Sequence, residues 1–154
     1  MLAFVRPLLI INAVALGSCG DDTRNDPGSR PAPRIAESSD CMDLARQPTV
    51  TVSGLLTVQL FAGPPNYESV AAGDAEERAL ILELPNRVCA DDGEFITADR
   101  PFDRVHISSG VPSVLGALNA AVGRRVTVRG GAFGAHTGHH RAPLVLFADQ
   151  VTVS

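Results

Sequence analysis

Three of the chain's four histidines, His136, His139 and His140, fall together in the stretch GAHTGHHRAPL, residues 134–144. Neutral imidazoles this close can converge on one transition-metal ion, with a carboxylate such as Glu68, Asp74 or Glu76 completing the set. They can equally hydrogen-bond the backbone of a turn around Gly138, or form one lip of a binding surface. The HTGH spacing also imitates the HxGH motif of nucleotidyltransferases. That motif opens a helix in a parallel sheet, whereas here it joins two strands of a β-rich chain.

A second stretch, GPPNYES at residues 63–69, has the composition of a presenting loop. Pro64 and Pro65 restrict φ, so Asn66, Tyr67 and Glu68 are held out with little entropy left to lose on binding. Tyr67, the single tyrosine, offers an aromatic face with a hydrogen-bonding tip. The bland alternative is a stiff loop that folds Tyr67 back over the end of the domain. No serine sits in a nucleophile-elbow pattern and no nucleophile is paired with a base, so a non-catalytic role is expected.

The elements that must position these loops show a period of two. TVTVSGLLTVQL, residues 49–60, places Val50, Val52, Leu56, Val58 and Leu60 on one face and Thr49, Thr51, Ser53, Thr57 and Gln59 on the other, with Gly54 marking a bulge or bend. RALILEL at 78–84 is apolar on both faces. FDRVHISS at 102–109, RRVTVRGGAF at 124–133 and PLVLFADQVTV at 143–153 complete five strands. Between the third and fourth, PSVLGALNAAVG has Pro112 at a helix start, Gly123 just past its end, and Val114, Leu115, Leu118 and Val122 at helical spacing.

Three strands, a short helix and two strands is the order of an OB-fold. The expected fold is therefore all-β with one short helix, a small five-stranded OB-fold-like barrel over residues 41–154, with a small β-sandwich as the alternative. In an OB-fold the loops between strands one and two and between strands four and five flank one ligand face. That arrangement makes residues 61–77 and 134–142 two lips of one site, with Asn66, Tyr67, Glu68, Asp74, His136, His139 and His140 as ligand-binding candidates.

The N-terminus bears on compartment. Residues 1–18 carry one positive charge, Arg6, then an apolar run from Leu8 to Leu16 that is well short of the roughly 20 residues a membrane span needs, so it reads as a secretion signal. LGSC resembles the bacterial lipobox, which implies cleavage before Cys19 and lipid attachment to it. Residues 19–40, rich in charge and proline and poor in bulky apolar side chains, read as a flexible tether. Cys41 and Cys89 then remain as an even pair in an exported protein, either bridged or two free thiols.

All 13 basic residues are arginine and face 17 acids, a formal net charge of −4. That balance disfavours a nucleic-acid partner, since phosphate backbones are held mainly by cationic side chains. The expected partner is an envelope peptide, glycan or protein, with contact to the membrane through the lipid anchor only. No cofactor is expected unless the histidines hold a transition metal.

The two loops also carry a resemblance. GPPNYESVAAGDAEERALILEL with Cys89, and later GAHTGHHRAPLVL, are similar to an uncharacterised family of exported bacterial domains that carry GPPNYES and, nearer the C-terminus, TGHHHTPV. The similarity runs over about residues 50–153. It departs at Arg141, where the family has a third consecutive histidine, and at Ala142, where it has threonine. The resemblance implies a domain of this kind and no particular activity.

Overall fold

The computed structural model describes residues 41–154. The expected signal peptide, the expected lipidation at Cys19 and the expected tether lie outside the described residues. The chain enters through a two-residue strand β1 (Met42–Asp43) and then forms β2 (Thr49–Ala62), β3 (Glu76–Val88), a second two-residue strand β4 (Ala90–Asp91) and β5 (Phe102–Ser108). A nine-residue helix α1 (Pro112–Ala120) leads to β6 (Arg125–Gly134) and β7 (Leu144–Val153).

The five long strands close into a barrel in the order β2-β3-β5-β7-β6, with β6 returning to β2. All neighbours are antiparallel except β5 and β7, which run parallel from Val105 against Leu144 to Ser108 against Phe147. The fold is all-β with one short helix. Closure of the ladder selects the OB-fold-like barrel over the sandwich.

Closure depends on β2 serving two neighbours. Its second half pairs with β3 from Leu55 to Ala62, and its first half pairs with β6 from Thr49 to Leu55. The expected bend at Gly54 lies at this changeover. A Cβ there would run into the Glu83 carbonyl of the adjacent strand, so the close approach needs a residue without one.

The core follows the alternation. Val52 and Leu56 from β2, Leu80 and Leu82 from β3, Val105 and Ile107 from β5, Val126 and Val128 from β6, and Leu144 and Leu146 from β7 fill the interior. Leu118 plugs it from α1. Two expectations about faces need correction. Leu60 is 59% exposed, because β2 overshoots the barrel; Leu115 lies on the outer side of a helix short enough to bury only one side chain fully, and Val122, past the helix end at Ala120, is exposed as well.

Cys41 and Cys89 form a disulfide, with Cα atoms 4.7 Å apart. It fastens the start of the domain beside the end of β3, next to the parallel pairing of β1 with β4. Closing a loop across a sequence separation of 48 is worth about 4 kcal/mol in the chain-entropy account.

Candidate functional site

The β2–β3 loop is organised from below by Asp74. This residue is buried, at 5% exposure. One carboxylate oxygen accepts the backbone N–H of Asn66 at 2.9 Å and its side-chain amide at 3.2 Å, and the other accepts the N–H groups of Glu68 and Ser69 at 2.8 and 2.9 Å. Donation from Ser69, Asn66 and Glu68 pulls the carboxyl below the usual aspartate range, against the opposing effect of desolvation. Asp74 is thus turned inward as the strut of the loop. Glu68 remains exposed, and Asn66 is exposed with its amide tied to Asp74.

That strut holds Tyr67 in an unusual backbone state. Its φ is +62°, a left-handed conformation uncommon for a bulky residue, and its N–H donates to the Gly63 carbonyl at 2.9 Å. The ring therefore leans toward the β6–β7 loop. Its hydroxyl lies 3.0 Å from His139 Nε2, and the two rings meet edge to face with centroids 5.1 Å apart. Gly138 gives the ring its room, since a Cβ there would sit 3.3 Å from it.

The β6–β7 loop folds back over the outside of the barrel wall. Ala142 packs on Ala79 and Ile81, the outward side of β3, with Phe61 from β2 at the margin. This explains why RALILEL is apolar on both faces: one face fills the barrel and the other is roofed by the loop. Beside Ala142 the Arg141 guanidinium pairs with Glu77, with only 7% of the Arg141 side chain exposed. It stands 5.3 Å from the ring centres of both Phe61 and Tyr67, a distance at which an aromatic face attracts a cation. Its buried Nε–H has no hydrogen-bond partner among the described residues.

The histidines take separate roles. His140 Nδ1 accepts the backbone N–H of His136 at 3.0 Å and of Thr137 at 3.3 Å, so this nitrogen is unprotonated. Burial, then the charges of His136 and His139, hold the His140 imidazole below the ordinary histidine range. His136 Nδ1 donates to the Gly134 carbonyl at 3.0 Å. His139 is exposed and also approaches Glu77 at 3.8 Å. Among the described residues no group of three His, Cys, Asp or Glu side chains is arranged to hold a metal ion.

The structure thus brings Tyr67 together with His139, and His136 with His140, and places Asn66, Glu68 and Asp74 in the facing loop. Sequence reasoning did not select the residues that join the loops. His106 on β5 accepts the Arg141 N–H at 3.4 Å, and burial, reinforced by His140 and Arg141 and opposed by Glu77, lowers its basicity. Asp92 receives N–H groups from Glu94, Phe95 and Ile96 and from Gly134, pinning the 92–96 turn to the start of the histidine loop. Desolvation raises its pKa, but the four donors prevail and hold it at about 2. The Asp-Asp-Gly sequence at 91–93 is a turn signal that marks this position.

The chain is similar to an uncharacterised domain family. Residues 104–152 match the model of the family described as Domain of unknown function (DUF4431). That stretch runs from β5 into β7 and includes the whole histidine loop, in keeping with the resemblance noted in the sequence. No curated protein matches the chain.

Proposed function

We propose that this protein is a non-catalytic binding module of the bacterial cell envelope, anchored by lipid on Cys19, that recognises an envelope peptide, glycan or protein with its β2–β3 and β6–β7 loops. The observation that carries the reading is the contact between Tyr67 and His139 above the Arg141–Glu77 pair. Loops fastened to each other before a partner arrives lose little conformational entropy on binding. The joint surface also offers mixed chemistry: an aromatic face on Tyr67, a carboxylate on Glu68 and an exposed imidazole on His139. The metal-binding alternative has less support, because His140 spends Nδ1 on the backbone of its own loop.

A photo-crosslinking side chain placed at Glu68 or His139 in the full-length protein, expressed in its own envelope, tests the surface. The same partner captured from both positions, and not from Val122 on the helix side, is the expected result. Equal capture from all three positions, or from none, overturns the reading. The anchor is tested separately: Cys19→Ser is expected to block signal processing and release the protein from membranes, and processed, soluble variant protein would leave ordinary secretion as the route.

A further inference from the structure

A second surface, distinct from the Tyr67 lip, runs along the outward side of the β6–β7 hairpin. Phe147 is 48% exposed, and its ring lies 5.9 Å from that of Phe133 at an interplanar angle of 23°. Phe133 in turn meets His136 and His140, each with centroids 5.4 Å away. His136 stacks on Phe95 at 4.6 Å and 30°, and Phe95 is 49% exposed. Five rings thus form a continuous strip. Gly131, cross-strand partner of Phe147, is exposed with nothing within 4 Å of where its Cβ would be, which leaves open floor beside the Phe147 ring.

Burial in the core does not account for the strip, since its two end rings are half in solvent. Exposed aromatic clusters of this kind mark interaction surfaces. The 92–96 turn that carries Phe95 is held in place by Asp92, so one end of the strip is fixed before any ligand arrives.

We propose that this strip binds an uncharged glycan chain of β-linked pyranose units. Such units present flat faces of polarised C–H groups to the negative faces of aromatic rings, and a run of rings suits a run of units. Their equatorial hydroxyls need donors and acceptors at the margin, which Arg129 and Asp149 supply beyond Phe147 and the imidazoles supply near Phe95. Arg129 and Asp149 are paired with each other at 3.1 Å, so that margin is polar without an unmatched charge, which favours a neutral ligand. Strand addition by an extended peptide does not suit this place, because β6 and β7 each have ladder neighbours on both sides.

The inference shares only His136 and His140 with the two-loop reading and stands or falls separately from it. The test titrates β-1,4-linked N-acetylglucosamine hexamer, and glucose hexamer for comparison, into the full-length protein, followed by calorimetry and backbone amide shifts. Saturable binding of a hexamer is expected, with shifts at Gly131, Phe133 and Phe147. Phe147→Ala and Phe95→Ala, both at exposed positions, are each expected to weaken binding about tenfold or more, as loss of an aromatic anchor does, while Val122→Ala, exposed on the helix side, leaves it unchanged. Absence of saturable binding to folded protein overturns the proposal. So does binding that Tyr67→Ala abolishes and Phe147→Ala leaves intact, which would move the glycan to the two-loop surface, or self-association lost in Phe147→Ala, which would make the strip a contact between copies.

Discussion

The phenol oxygen of Tyr67 stands 3.0 Å from His139 Nε2, and this contact ties together two loops whose residues are 72 positions apart in the chain. Both residues reach it from constrained positions: Tyr67 from a left-handed backbone state fixed by the Asp74 network, and His139 from a loop roofed onto β3. A double-mutant cycle with Tyr67→Phe and His139→Ala is expected to give a coupling in folding stability of about 0.5–1 kcal/mol, the range of a partly exposed hydrogen bond. Strict additivity in denaturant unfolding would mean that the loops touch without holding each other.

Asp74 is expected to order the loop rather than to touch a ligand directly. Asp74→Ala leaves the N–H groups of Asn66, Glu68 and Ser69 without their shared acceptor. Faster amide hydrogen exchange at those residues, together with loss of the Tyr67–His139 contact, is the expected outcome. Unchanged protection at all of them would show that the prolines alone fix the loop. Because the folded state depresses the Asp74 and Asp92 carboxyls below the aspartate value of 3.8, both contribute stability that is present above that pH. For Asp92 the contribution is lost as pH falls from 3.8 toward about 2.

The barrel was legible because alternation is a local property. Val126 and Val128 declare their face within four residues, and Pro112 and Gly123 bracket the helix. The ladder of β1 with β4 was not legible, since two residues cannot display a period. Nor does helical spacing say how much of a face is covered: Leu115 shares the spacing of Leu118, yet only Leu118 is fully buried. The pairing of the two loops followed from strand order alone. The means of that pairing did not: Arg141 and Glu77 are 64 residues apart, and nothing near either one names the other.

Removing Arg141 should loosen the roof over β3. Arg141→Met keeps an unbranched apolar stem against Phe61 and Tyr67 but leaves Glu77 without its guanidinium partner. Glu77 is one-third exposed and can recover some hydration, so the expected loss is about 2 kcal/mol, less than for a fully buried pair. Chemical denaturation measures it, and Arg141→Lys should recover only part, because an ammonium lacks the planar fork. An unchanged midpoint for Arg141→Met would assign the roof's stability to Ala142 and the apolar contacts.

Reduction of the Cys41–Cys89 bridge is expected to cost about 4 kcal/mol and to lower the melting temperature by roughly 10 °C or more. Calorimetry of the purified, oxidised protein with and without reductant checks this. A shift of a degree or two would mean that the reduced chain retains the β1–β4 contact and so loses little loop entropy.

The histidine loop should open as the medium acidifies. His140 Nδ1 accepts two N–H groups and His106 Nδ1 accepts one, so both must be unprotonated at Nδ1 for the loop to keep its shape. The groups that face them are His136 and His139 within the loop, Glu77 on β3 and Arg141 beside it, and only Glu77 favours protonation of His106. Folding depresses both imidazoles below the unfolded value of about 6.5. The folded state therefore binds fewer protons than the unfolded one, and stability is full above pH 6.5 and falls as pH drops below it toward the depressed values. Protection of the Thr137 and Arg141 amides, measured against the intrinsic exchange rate at each pH, should fall over the same window, before global unfolding. His140→Gln, whose amide oxygen can accept hydrogen bonds without titrating, should flatten the response, leaving the share due to His106. A protection factor at Thr137 that stays constant between pH 7 and pH 5 in the unsubstituted protein would show that the imidazole acceptors do not hold the loop.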